Sequence, residues 1–262
     1  MLPFKANKAL GQHFLQDRAT AQEIVAALTL DDAASRTVLE IGPGTGVLTD
    51  VLVKQNIPTL YLVEVDAALA AQLRQRYPAL HDRIITADFL QLPLAKVAST
   101  PMHIIGNFPY NISSPILFKI LAHRQQVREV VCMVQQEVAE RLVAVPRSKA
   151  YGIPSVLLQA FYDIAYLFSV GPQVFVPPPK VHSAVIRLQR NQVTQLACDE
   201  ALFFKVVKAG FQQRRKTLRN ALKGLFPVVR QMACPWLGQR AEELSGEEFV
   251  ALTKMLDAYL DH

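Results

Sequence analysis

Val38-Leu39-Glu40-Ile41-Gly42-Pro43-Gly44-Thr45-Gly46 runs directly into Val47-Leu48-Thr49-Asp50-Val51-Leu52-Val53, and this junction decides the fold. A buried strand entering glycines and then an amphipathic helix is the nucleotide-binding turn of α/β proteins. Gly42, Gly44 and Gly46 permit positive φ and close backbone approach at the strand's carboxyl end, and Pro43 fixes φ between two of them. A dinucleotide fingerprint asks for Gly or Ala where Val47 stands. Glu40, an acid inside the turn, is expected to repel a pyrophosphate. The turn therefore suits a ligand without phosphates better than NAD, and a purely structural turn stays open at this point.

Outward from this turn, β-branched apolar segments alternate with amphipathic ones. Thr37–Ile41, Thr59–Val63, Arg83–Thr86, His103–Gly106 and Val130–Val134 read as strands, with Leu48–Gln55 and Ala67–Arg76 as helices between them. Such alternation predicts α/β architecture, a mostly parallel sheet with helices on both faces. Tyr162–Val170 and Ser183–Leu188 add two later strands, for seven, and Gly171 with the Pro-rich run after it suits a rigid hairpin-like connection. Beyond Asn191 only helical spacing remains, in Phe203, Phe204, Val207 and Phe211, then Leu218, Leu222 and Leu225. The stripe fails at Arg214 and Arg215, which predicts a helix break with both arginines exposed. The expected division is an α/β domain over residues 1–190 and a small all-helical domain over 191–262.

Composition bounds the partners. The 262 residues are 51% hydrophobic, which excludes a disordered chain, and 28 Lys+Arg against 22 Asp+Glu leave a net charge of +6. Seven basic residues and no acid lie between Lys205 and Lys223, before Glu242, Glu243, Glu247 and Glu248 reverse the sign. A solvated helix face and a phosphate-binding surface both fit that run. Cys132, Cys198 and Cys234 form no disulfide framework and read as buried thiols in a reducing compartment. The N-terminus carries no continuous apolar leader, and the greasiest stretch, Ile153–Val170, is broken by Pro154, Gln159 and Asp163. A cytoplasmic protein with no membrane span is expected. No His/Cys spacing suggests a metal site.

Two acids sit at strand ends. Glu64, after the second strand, is placed to accept from a ribose diol, and Asp88, after the third, from an adenine amine. With the glycine turn they outline an adenosine pocket where the strand order switches. This arrangement resembles the Rossmann-like methyltransferases that use S-adenosylmethionine.

After the fourth strand stands Asn107-Phe108-Pro109-Tyr110. An adenine amine is a poor nucleophile because its lone pair is delocalised into the ring. A catalyst must draw its two hydrogens toward acceptors, here the Asn107 side-chain oxygen and the Phe108 carbonyl. Pro109 holds residue 108 extended, and the Tyr110 ring offers a face for a flipped base. No strong base is needed, since the product ammonium is acidic. A plain strand-end turn is the alternative reading.

The tetrapeptide is similar to the [DN]-x-P-[YF] signature of amine-directed methyltransferases. Three more segments sharpen the likeness: Lys8-Ala9-Leu10-Gly11-Gln12-His13-Phe14-Leu15, then Phe175-Val176-Pro177-Pro178-Pro179-Lys180-Val181 with Ser183-Ala184-Val185, and Phe211-Gln212-Gln213-Arg214-Arg215-Lys216-Thr217-Leu218-Arg219-Asn220. Together these resemble the bacterial small-subunit ribosomal RNA adenine dimethyltransferases, the kasugamycin-sensitivity family. The resemblance implies S-adenosylmethionine as cofactor and 16S rRNA, in the 30S subunit or its precursor, as partner. It also implies dimethylation of two adjacent adenosines late in assembly by a monomeric enzyme. Carried over by motif position, His13, Leu15, Gly42, Gly44, Glu64, Asp88 and Asn107 line the cofactor site, although His13 stands where Asn is common. Tyr110 and Phe175 become stacking faces for the target base, Phe175 alternatively being a core aromatic. Arg214, Arg215, Lys216 and Arg219 become RNA contacts, with Lys5 and Lys8 behind them. The near rivals are an erythromycin-resistance methyltransferase acting on large-subunit RNA, a DNA adenine methyltransferase, and a non-catalytic assembly factor on the same fold.

Overall fold

The structure is a computed structural model that describes residues 11–30, 37–55, 57–98 and 101–260. The chain runs β1 (Phe14–Leu15), α1 (Arg18–Ala26), β2 (Thr37–Ile41), α2 (Val47–Leu52), β3 (Thr59–Glu64), α3 (Ala67–Arg76) and β4 (Ile84–Thr86). It continues through β5 (Met102–Asn107), α4 (Ser113–Ala122), β6 (Val127–Gln135), α5 (Gln136–Leu142) and α6 (Ile153–Gln159). Then come β7 (Tyr162–Val170), β8 (Phe175–Val176), β9 (Ser183–Arg190), α7 (Glu200–Gln212), α8 (Leu218–Leu222) and α9 (Gly246–Leu260).

Seven strands form one mixed sheet in the order β4-β3-β2-β5-β6-β9-β7. The pairs β3–β4, β2–β3, β2–β5 and β5–β6 are parallel, while β9 returns antiparallel to β6. All five residues of β2 are buried, as a strand covered on both faces requires. One side of the core gathers Val38, Leu62, Ile105, Val131 and Val185 with Ile24 of α1 and Leu48 and Leu52 of α2. Helix starts carry their own caps: Asp17 accepts from the Thr20 amide at 2.7 Å, and Asp66 from the Ala68 amide at 2.9 Å. The chain leaves β2 for β3 and β4 on one side, then crosses to β5 on the other. The carboxyl ends of β2 and β5 therefore flank the topological switch point, where such sheets bind ligands.

The chain separates into two compact units, and the expected division at residue 190 needs correction. One unit takes residues up to Ala139 and Ile164–Arg190; the other joins Glu140–Asp163 to Asn191–His262. The reason lies in α6, whose Val156, Leu157 and Leu158 are buried and which packs on α7 and α9. Tyr151, just before it, meets the Phe211 ring edge-on at 6.0 Å. A segment read as part of the α/β domain thus supplies core to the helical unit. The helix break falls where the failed stripe predicts it, between Gln212 and Leu218. No helix among the described residues is long and apolar enough to cross a membrane.

Candidate active site

The glycine turn is braced from behind. Gly44 (φ 56°) and Gly46 (φ 86°) adopt the left-handed conformation, and neither has room for a side chain. A Cβ on Gly44 would lie 2.9 Å from the Phe14 ring, and one on Gly46 2.7 Å from the Tyr77 hydroxyl. Tyr77, at the end of α3, donates to Asp50 Oδ1 at 2.7 Å, with the Gly46 carbonyl 3.1 Å away. Arg76 donates to the Thr45 carbonyl at 2.9 Å and pairs with Asp50. The turn is therefore preformed.

Three carboxylates mark the strand ends, each in a different state. Glu40 is 1% exposed and accepts from the Thr49 hydroxyl at 2.7 Å. Burial pushes its pKa up to about 8, so at neutral pH the acid is mostly uncharged. The expectation that it repels pyrophosphate as a charge is thereby corrected. Glu64, 3% exposed, accepts from the Gly44 amide through one oxygen and the Asp66 amide through the other, both at 3.0 Å. Burial raises its pKa, and the Asp66, Gly44 and Val65 amides oppose the shift. Asp88 is exposed, and its Oδ1 accepts from the Leu90 amide at 2.8 Å.

The fourth wall is an arm. β1 pairs antiparallel with β8, Phe14 opposite Val176 and Leu15 opposite Phe175. His13, just before β1, is tied at three points. Its Nδ1 donates to the Pro177 carbonyl at 2.8 Å, its ring stacks on Tyr110 at 5.3 Å and 28°, and its carbonyl accepts from Asn107 Nδ2 at 2.9 Å. Because a carbonyl can only accept, that last bond fixes the Asn107 amide with its nitrogen toward the arm. Oδ1 is left as the acceptor of the side chain. Tyr110 is held in turn, its hydroxyl 2.5 Å from the buried Ser183 Oγ. Burial raises the Tyr110 pKa and the Ser183 bond opposes it, so the phenol stays protonated. Phe108 is buried, and its amide donates to the Met133 carbonyl at 3.0 Å.

One cavity of about 260 Å³ is lined by His13, Leu15, Gly42, Gly44, Glu64, Asp88 and the whole tetrapeptide Asn107 to Tyr110. Phe175 is not among its walls. It is 2% exposed and belongs to the core beneath the arm, so the core reading replaces the stacking one. In the helical unit, Arg215 and Lys216 are exposed. Arg214 and Arg219 are only half-exposed, because each is engaged within the chain. Arg214 pairs with Glu242 and donates to the Lys149 carbonyl at 2.9 Å. Arg219 reaches the carbonyls of Val229, Arg230 (3.1 Å) and Met232 (3.3 Å). Lys5 and Lys8 lie outside the described residues.

Two site residues escaped the sequence reading. Gly106 precedes Asn107, and a Cβ there would sit 2.5 Å from the Ile41 carbonyl. A glycine inside a β-branched strand is the signal of such close approach. Ser183 follows the Pro-rich run, but nothing in its local sequence points it at Tyr110.

The family model for ribosomal RNA adenine dimethylase matches residues 3–257. A protein of Cytophaga hutchinsonii named ribosomal RNA small subunit methyltransferase A is 56% identical, over 96% of this chain and 97% of its own. A protein of the same name from Parabacteroides distasonis is 51% identical, over 98% and 96%. Among solved structures, the 23S rRNA methyltransferase ErmE matches with a TM-score of 0.66 and 27% identity, over 93% of this chain and 99% of its own. A dimethyladenosine transferase from Plasmodium falciparum shares the fold, with a TM-score of 0.76, 22% identity and coverage of 95% and 98%. With a family match over residues 3–257 and relatives above half identity, the chain belongs to the ribosomal RNA adenine dimethylase family.

Proposed function

We propose that this protein transfers methyl groups from S-adenosylmethionine to the N6 amines of two adjacent adenosines in the 3′-terminal hairpin of 16S rRNA. The product is N6,N6-dimethyladenosine, made late in small-subunit assembly. The observation that carries the chemistry is the Asn107–His13 bond, which orients Oδ1 as an acceptor beside a nucleoside-sized cavity.

The cavity residues fit the cofactor. The Glu64 carboxylate accepts from backbone amides and has lone pairs left for a ribose diol. Asp88 has Oδ2 left for an adenine amine, and the bare Gly42 and Gly44 let the ligand approach the main chain. The cofactor, when bound, supplies a methyl group on a positively charged sulfur. Everything else is positioning. Asn107 Oδ1 and the Phe108 carbonyl accept the two hydrogens of the target amine, so its lone pair localises on nitrogen. His13 already covers one face of the Tyr110 ring, which leaves the other for the flipped base. The proton is lost to solvent after transfer.

RNA phosphates fall to the exposed Arg215 and Lys216, backed by Lys205, Lys208 and Lys223 on the same unit. A cytoplasmic location, a monomeric state and recognition of the 30S particle or its precursor belong to the same proposal. Likeness to the small-subunit methyltransferases at 56% identity, against 27% to the 23S enzyme, supports the small-subunit target. The test is transfer of labelled methyl to undermethylated 30S particles, followed by nucleoside analysis. Labelled dimethyladenosine, lost with Asn107→Ala, is expected. Transfer to a 23S fragment instead would move the enzyme to the large-subunit branch.

A further inference from the structure

Lys119 lies on α4, the helix that starts three residues beyond Tyr110, yet its side chain serves a different loop. Its ammonium donates to the carbonyls of Phe89 at 2.5 Å and Leu92 at 2.6 Å, and sits 5.0 Å from the centre of the Phe89 ring. These carbonyls close a single turn in which the Gln91 and Leu92 amides return to the Asp88 carbonyl at 3.0 and 3.1 Å. One turn of helix is not stable on its own. A cation at its carbonyl end supplies charge-assisted bonds that hold it. The turn lines the cavity with Asp88, Phe89 and Leu90, whereas Lys119 does not line it. Burial draws the Lys119 pKa down and the Asp88 charge opposes that shift, so both belong to one local cluster.

Resting on the cofactor reading above, we infer that Lys119 is a positioning residue which fixes the Asp88–Leu92 turn, so that the cavity's selectivity for adenine depends on a side chain outside it. Asp88 accepts from an amine and repels a carbonyl oxygen. Its discrimination between adenine and hypoxanthine therefore falls off once the turn that carries it is released. Ribose binding at Glu64, on β3, stays as it was.

The experiment compares S-adenosylhomocysteine with S-inosylhomocysteine, in which a carbonyl replaces the adenine amine. Dissociation constants are measured by calorimetry for the full chain, Lys119→Met and Lys119→Arg. Lys119→Met keeps the apolar stem and removes the donors. It is expected to weaken the adenosyl ligand about tenfold while the inosyl ligand changes less than about threefold, with Lys119→Arg restoring most of the difference. Hydrogen exchange at the Leu90 and Leu92 amides of the ligand-free variant should accelerate about tenfold. Lys119→Gln gives the same ratio should Lys119→Met fail to fold. Equal weakening of both ligands, or an unchanged adenosyl constant, would overturn the inference. A wild-type protein that binds both ligands equally would overturn it as well while leaving the cofactor reading intact. Wild-type protein that binds neither would sink the cofactor reading and this inference with it.

Discussion

Replacing Gly106 by Ala puts a Cβ 2.5 Å from the Ile41 carbonyl oxygen and 3.1 Å from the Phe108 ring. Ordinary contact begins near 3.4 Å, so the two main chains must part by roughly 1 Å. They have little freedom to do so, since Glu40 on β2 stands opposite Ile105 on β5 in a parallel ladder. Phe108 is fully buried on the other side. Overpacking of this kind costs about 1–3 kcal/mol, and the backbone contact places the variant at the upper end. For a chain of this size, about 3 kcal/mol lowers the melting temperature by roughly 6–12 °C. The strain is also relieved next door, at Asn107, whose oxygen is the proposed acceptor for the target amine. Methyl transfer at saturating cofactor and RNA, measured below the variant's transition, should fall at least about a hundredfold for a shift near 1 Å. Gly224→Ala is the control, because nothing lies within 4 Å of its Cβ and its φ is not positive. That variant should melt within about 2 °C of the parent and keep full activity. A Gly106→Ala protein that does the same would refute the close-approach argument.

Other substitutions separate chemistry from scaffold. Glu40→Gln keeps an acceptor for Thr49 but cannot ionise. Since the unfolded acid ionises near 4.5 and the folded one near 8, wild-type stability falls as pH rises through that window, by up to about 1.4 kcal/mol per unit. Melts at pH 4.5 should therefore match, with Glu40→Gln the more stable protein at pH 7.5. Phe175→Leu should cost about 1–2 kcal/mol and leave kcat unchanged at 20 °C; a collapse of kcat would return Phe175 to the base site. Arg219→Ala strips donors from three carbonyls and should cost about 2 kcal/mol, seen as a fall in melting temperature. Arg215→Ala with Lys216→Ala should leave melting unchanged and lower the slope of log affinity for RNA against log salt by about one to two units.

The residues that were legible in the sequence share a property: their environment is set by neighbours in the chain. Strand β2 reads correctly because all five of its side chains are buried, and the break after Gln212 reads correctly because apolar spacing stops there. Glu64, Asp88 and the tetrapeptide gather at one cavity because each ends a strand, and in a parallel sheet strand ends meet on one side. What stayed hidden depends on partners far along the chain. Phe175 is core because it lies opposite Leu15, 160 residues earlier. Arg219 is engaged because the turn through Val229 to Met232 brings three carbonyls to it, and no composition rule reveals a carbonyl. The orientation of Asn107 belongs to this second class. Asn107 is oriented by a carbonyl 94 positions away, on a residue whose own ring is fixed by another 164 positions further. A motif can therefore name the asparagine, but only the folded arm decides that its nitrogen is taken and its oxygen left as the side chain's acceptor.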